Sequence, residues 1–291
     1  MKKRTVTVGR LLESSKLWLF AIAFGIAAVQ VILTWKLTHD SDRLSLTVLS
    51  WCALFSLLWK KRNTLKVDSD IFSTLFGIFL IAISLIKSTS LFWFESSFIK
   101  IAVLFFALGL SLIASGFNGL KQYLQEFIIV LLLVIPEELL LQQLENLINT
   151  SLLAAKFSTF MLWYLGFTVS RQGVNVILPN GAIEIYAGCS GLNAMLLLLR
   201  LSLLFVLVFP TELYKKILLP AAGVLLAFLI NGIRVALMAV LVASSNQQAF
   251  EYWHGSEGNQ IFSTISILVF GILCQFLLHE NKLEHPDNME F

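Results

Sequence analysis

Three side chains in the second half of the chain have the chemistry of acyl transfer. Cys189 stands in Ala187-Gly188-Cys189-Ser190-Gly191-Leu192, just ahead of a long apolar run. A thiol near a helix N-terminus meets unpaired backbone N–H groups and the positive end of the helix dipole. Both favour the thiolate, which is the nucleophilic form. Gly188, Ser190 and Gly191 are small enough to admit a substrate backbone, and the same N–H groups could receive an oxyanion. The same residue types also make a plain loop-to-helix turn, so this stretch alone leaves both readings standing. Arg234 stands in Asn231-Gly232-Ile233-Arg234-Val235, inside another apolar run. An arginine within a membrane span is costly and marks a functional position; snorkelling to the headgroups is the competing reading. Asn231, nearly one turn earlier, can orient Arg234 or satisfy a backbone group beside Gly232. His254 stands in Tyr252-Trp253-His254-Gly255-Ser256-Glu257-Gly258. Imidazole is the usual general base near neutral pH, although an ordinary loop histidine has the same neighbours.

Together the three form a coherent set. Cys189 attacks a carbonyl, His254 manages protons, and Arg234 stabilises the oxyanion or orients the substrate. Other polar residues rank lower. Arg200 lies deeper in the apolar run after Cys189, with no partner that the sequence names. Glu137 and Glu138 read as interfacial, and Glu184 and Glu257 as solvated or local hydrogen-bond partners. Cys52 and Cys274 lie in apolar runs and read as small hydrophobes. Three cysteines show no pairing by spacing. There is no CxxC, no His-rich tract and no Walker-type glycine loop, so neither a metal, a cofactor nor a nucleic acid is expected.

These residues need elements to position them, and composition says in which solvent. The 291 residues are 57% hydrophobic and 13% charged, against about 25% charged in soluble domains. The expected fold is an all-α polytopic membrane protein with about eight transmembrane helices, a short extracytoplasmic β-hairpin and an interfacial helix. A span needs roughly 20 apolar residues. Candidates are Leu17–Trp35, Leu44–Trp59, Ile71–Ile86, Phe98–Ala114, Tyr123–Leu141, Leu192–Phe209, Ile217–Ala243 and Ile261–Leu278. Lys2, Lys3 and Arg4 before the first run suggest an uncleaved first span. The basic clusters at 2–16, 60–66 and 215–216 belong inside by the positive-inside rule. A ninth run, Leu152–Phe167, is ambiguous. Were it to cross, Lys215 and Lys216 would fall outside, so Pro136–Phe167 is expected to include an interfacial amphipathic helix.

That topology puts Ser170–Gly191 on the outer side. Val174, Val176 and Leu178 alternate with Asn175 and Ile177, Pro179-Asn180-Gly181 supplies a turn, and Ala182, Glu184 and Tyr186 alternate with Ile183 and Ile185. This is a hairpin pattern that leads into the cysteine. Cys189 then begins one span at its outer end. Lys216 and Arg234 are separated by roughly 27 Å of helix, which brings Arg234 near the outer end of the next span. His254 falls in the outer loop Ser244–Gln260. One integral membrane domain is expected, with N-terminal helices at 1–129, a catalytic core at 130–278 and a cytoplasmic tail at 279–291.

Gly188-Cys189-Ser190-Gly191-Leu192, then Asn231-Gly232-Ile233-Arg234-Val235, then His254 with Gly258 four residues on, resemble the exosortase/archaeosortase family in order, spacing and intervening spans. The hairpin before the cysteine is also similar. The likeness covers roughly residues 130–275; residues 1–129 share only a generic set of spans. The short chain, without an appended soluble domain, is similar to the cyanobacterial branch called cyanoexosortases, type A. The resemblance implies a multi-pass cysteine transpeptidase of the plasma (inner) membrane, with its site on the extracytoplasmic side. It implies exported protein substrates with a C-terminal PEP-CTERM-type signal: a Pro-Glu-Pro-like motif, a membrane helix and a basic tail. Membrane lipid is the other implied partner. The family's nucleophile, arginine and histidine map to Cys189, Arg234 and His254, with Gly188, Ser190, Gly191, Asn231 and Gly258 in support. Asn193 stands at a variable position of the pattern, which bears on substrate detail. Two rival readings are a transporter or channel component whose solute path is lined by Arg200 and Arg234, and a non-enzymatic factor for surface polysaccharide assembly.

Overall fold

The computed structural model describes residues 2–89 and 96–284. The end of the expected tail, 285–291, lies outside the described residues. The chain forms two compact units, Met1–Pro136 and Glu137–Phe291. The first contains α1 (Lys2–Thr38), α2 (Ser41–Lys61), α3 (Ile71–Thr89), α4 (Ser96–Gly119) and α5 (Leu124–Val134). The second contains α6 (Glu137–Ile148), α7 (Thr150–Tyr164), β1 (Ser170–Gln172), β2 (Asn175–Leu178), β3 (Gly181–Glu184), α8 (Leu192–Val208), α9 (Leu213–Ala243), α10 (Gln247–His254) and α11 (Ser256–Glu284).

Helix and membrane follow the hydropathy. Among the described residues four stretches are long and apolar enough to cross a bilayer: Trp18–Thr38, Ile101–Val134, Leu213–Ala243 and Ser256–Leu277. Ile71–Lys87 and Leu192–Val208 are shorter apolar helices. The runs read as two spans at 98–114 and 123–141 join into one apolar stretch, bent where Gly116 takes φ 62°. That conformation is open to glycine at no steric cost. α2 begins on an Asp40 cap that accepts from the N–H groups of Asp42 and Arg43, and it ends on Lys60 and Lys61. Within this unit Lys61 pairs with nearly buried Glu126 at 3.0 Å, and α3 meets α4 so closely that a Cβ on Gly77 would lie 2.6 Å from the Gly109 carbonyl oxygen.

In the second unit the expected hairpin is present as β2–β3, with Leu178 opposite Gly181 across the turn. β1 adds a third antiparallel strand, with Arg171 opposite Val176. Side chains alternate across a strand, and Val176, Leu178, Ile183 and Ile185 are the buried set. They pack into one apolar cluster with Ala154, Ala155 and Leu162 of α7 and Val235, Met238 and Ala239 of α9. Fully burying a side chain of this size contributes about 1.5–3 kcal/mol, which fastens the small sheet to α9.

The segment 136–167 is two helices, broken at Asn149, whose φ is 51° and whose side chain accepts from the Leu152 N–H to cap α7. α7 buries Ala154, Ala155 and Ser158 completely. Its Phe157 ring lies where a Cβ on Gly232 would be, 2.2 Å away, so Gly232 lets α7 approach α9. The interfacial reading of Glu137 is corrected. Its carboxylate pairs with Arg200 at 3.3 Å, with side-chain exposures of 14% and 9%. Arg200 lies about 12 Å along α8. A buried cation there is tolerable only beside a counter-charge.

Candidate active site

The path into Cys189 runs straight off the sheet. After β3, Ala187–Cys189 form a 3-10 turn in which the Cys189 N–H donates to the Tyr186 carbonyl at 2.9 Å and the Ser190 N–H to the Ala187 carbonyl at 3.3 Å. These two N–H groups are therefore spent on the turn. Gly191 follows at φ 85° and precedes α8. It serves a second purpose: a Cβ there would lie 2.6 Å from the Asn231 side chain. That closeness lets the Asn231 Nδ2 donate to the Cys189 carbonyl oxygen at 3.0 Å. Asn231 thus anchors the cysteine backbone to α9 rather than orienting Arg234. Cys189 itself is 5% exposed. Ser190 is fully buried and its hydroxyl closes on the Ala187 carbonyl at 2.8 Å, so its work is local.

Arg234 is 3% exposed. Its fork is engaged by the α10–α11 junction. Nε donates to the Trp253 carbonyl at 3.1 Å, Nη2 to the His254 carbonyl at 3.0 Å and Nη1 to Asn259 Oδ1 at 3.0 Å. Guanidinium supplies several donors in one plane, and here they hold the backbone that carries the imidazole. The expected outer loop is mostly helix. Asn246 caps α10 by accepting from the Ala249 N–H, and His254 is the last residue of α10. Gly258 belongs to this junction too: a Cβ there would lie 2.4 Å from the Trp253 Cα, so α11 can begin hard against α10.

The His254 ring stacks on Phe250 with centroids 5.2 Å apart. Its Nε2 lies 3.0 Å from the Tyr186 hydroxyl. The neighbouring Cys189 thiol is the first cause raising the phenol above its ordinary pKa of 10.0, followed by burial and the thiol's charge, with Arg234 opposing. The phenol is accordingly neutral at physiological pH. A Cβ on Gly188 would lie 2.7 Å from the Tyr186 ring, so Gly188 is the bed on which that ring lies.

The structure thus brings together the three residues read from the sequence, and it adds two. Tyr186 meets the histidine ring, and Asn259 completes the arginine's acceptors. Tyr186 was visible only as an exposed position of the hairpin alternation. Asn259 stood beside Gly258 with no signal of its own. Among the described residues no group of three or more His, Cys, Asp or Glu side chains could hold a metal ion.

Spanning apolar helices, with a small sheet that delivers a buried thiol to an arginine and an imidazole, define a polytopic membrane protein with a cysteine-centred polar site. The family model described as transmembrane exosortase matches residues 34–271, and the chain belongs to that family. It is a family of membrane sorting transpeptidases acting on exported proteins that carry a sorting signal. No curated protein and no solved structure matches the chain.

Proposed function

We propose that this protein is a cysteine peptidase and transpeptidase that cleaves the PEP-CTERM-type C-terminal signal of exported proteins at the extracytoplasmic face of the plasma membrane. The single observation that carries the reading is the α9 frame in which Asn231 holds the Cys189 carbonyl while Arg234 holds the His254 backbone, in a chain of the exosortase family. The catalytic core is assigned to residues 130–278. The basic clusters at 2–16, 60–66 and 215–216 support a topology in which Cys189 faces outward.

The mechanism follows from the groups present. The substrate's own tail helix inserts beside the enzyme, leaving its scissile peptide at the level of Cys189. The thiolate attacks the carbonyl, the tetrahedral adduct collapses to a thioester, and the signal leaves as a free amine protonated from His254. An amine or hydroxyl acceptor on a lipid or glycan resolves the thioester; water would give hydrolysis. Arg234 acts by holding His254 in place. A solute path lined by Arg200 and Arg234 gains no support, since each guanidinium has acceptors within the fold. In the decisive test, membranes carrying Cys189→Ala are given a tagged substrate. The signal should remain uncleaved, and normal processing by this variant sinks the nucleophile assignment.

A further inference from the structure

We infer that Tyr186 is a positioning residue for the imidazole: its phenolic oxygen accepts from the Nε2–H of His254, which fixes the ring flip and leaves Nδ1 as the nitrogen that exchanges protons. The inference rests on the proposed chemistry of Cys189 and His254. It starts from what the other supports of the ring leave open. Arg234 holds the His254 carbonyl and so places the backbone. Phe250, one turn earlier on α10, stacks on the ring at an interplanar angle of 21° and so sets its plane. Neither contact tells one edge of the ring from the other. The last torsion of histidine is broad and roughly two-fold, so a half-turn would exchange nitrogen for carbon and keep both contacts. A hydrogen bond to one nitrogen resolves the flip. Among the described residues the Tyr186 hydroxyl, 3.0 Å from Nε2, is the ring's hydrogen-bond partner, and Nδ1 has none. The phenol is itself held in place. Tyr186 has extended backbone, at φ −102° and ψ 173°. Buried Ile185 anchors the chain beside it, and Gly188 leaves room for its ring.

The direction of the bond follows from what a base requires. Were the phenol to donate, the Nε2 lone pair would be occupied and Nδ1 would carry the proton, so neither nitrogen could accept another. With Nε2–H as donor, Nδ1 keeps a free lone pair. The imidazolium also carries Nε2–H, so the bond persists in both protonation states. The phenol's own O–H then turns to solvent, which Tyr186 reaches at 53% exposure. In the proposed transfer Nδ1 takes the thiol proton as the sulfur pair forms its bond to the carbonyl carbon and the π pair moves to oxygen. Collapse restores the carbonyl and breaks the C–N bond, and Nδ1 gives the proton to the departing amine. The phenol changes charge in neither step, and no oxidant or reductant enters.

The test is nuclear magnetic resonance of the full chain in detergent, with its four histidines labelled with ¹⁵N and His254→Gln assigning the His254 signals. Where the ring is neutral, wild type should show the Nε2–H tautomer. Tyr186→Phe, which keeps the ring on Gly188 and removes only the hydroxyl, should show both tautomers, a signature that a packing role would not move. A hydrogen bond of ordinary net strength biases its site by up to about tenfold, so single-turnover signal cleavage by Tyr186→Phe in membranes should fall about 5–10-fold. Adding Tyr186→Phe to His254→Gln should cost nothing more, because the phenol acts only through the imidazole. An Nδ1–H tautomer in wild type, an unchanged tautomer in Tyr186→Phe, or cleavage by that variant within twofold of wild type overturns the inference. The wild-type spectrum decides the direction of the bond whether or not the variant folds. The outcomes are separable. Intact processing by Cys189→Ala strikes the proposed reaction and the positioning role with it. Abolished processing there, with an Nδ1–H tautomer in wild type, strikes the positioning role alone.

Discussion

The Nη2 of Arg234 donates to the carbonyl oxygen of His254 at 3.0 Å, and its Nε donates to the neighbouring carbonyl of Trp253 at 3.1 Å. Two adjacent donors on a rigid plane grip two adjacent carbonyls, so the arginine sets where the imidazole begins.

Lysine cannot reproduce that grip. Arg234→Lys should keep the charge and lose the fork, letting His254 shift. A displacement near 1 Å costs about 10²-fold in rate, so signal cleavage should fall by about that factor. A thermal melt should move much less than for Arg234→Ala, which leaves buried carbonyls unpaired at about 1–3 kcal/mol each. Wild-type cleavage by Arg234→Lys would argue that the fork is dispensable.

Gly191 has two reasons to be glycine. Gly191→Ala places a Cβ at φ 85° and 2.6 Å from Asn231. Left-handed backbone alone costs roughly 1–2 kcal/mol for a residue with a Cβ. The displaced Asn231 would also release the Cys189 carbonyl. The variant should lose both stability and cleavage in parallel, checked by melt and by single-turnover assay. Asn231→Leu should reproduce the loss of cleavage without the backbone strain.

The Glu137–Arg200 pair is nearly dry. Glu137→Ala should destabilise the protein by about 3–5 kcal/mol, since it strips the counter-charge from a buried cation. Replacing both residues by leucine should recover most of that loss. Chemical denaturation in detergent reads the difference. A Glu137→Ala variant as stable as wild type would show that other acceptors suffice for Arg200.

The Cys189 thiol near it is the first cause holding the Tyr186 phenol above its ordinary 10.0. Its folded value is therefore raised over the unfolded one. The stability it contributes is fully present below pH 10.0 and is lost as pH rises through the higher folded value. The ultraviolet difference titration between wild type and Tyr186→Phe should have its midpoint above 10.0. Cys189→Ala should bring that midpoint down.

A reporter at Asn180, in the β2–β3 turn, tests the proposed orientation. An Asn180→Cys variant should react with a membrane-impermeant maleimide applied from the extracytoplasmic side. Reaction only after the membrane is opened would reverse the topology and the surface-sorting role with it.

What the sequence by itself determined is local. Hydropathy over a helix length named the bilayer as solvent. Period-two alternation around Pro179-Asn180-Gly181 marked β2 and β3. Three short motifs picked out Cys189, Arg234 and His254. These signals are carried by neighbours in the chain and need no knowledge of packing. The tertiary structure decided the partners. That Asn231 bonds the Cys189 carbonyl, that Arg234 grips the His254 backbone, that Glu137 answers Arg200 and that Tyr186 meets the His254 imidazole all depend on contacts between residues far apart in the chain. Such contacts are fixed by where helices cross and how nearly they approach. That in turn rests on glycines such as Gly188, Gly191 and Gly232, whose missing side chains make no mark on a hydropathy pattern.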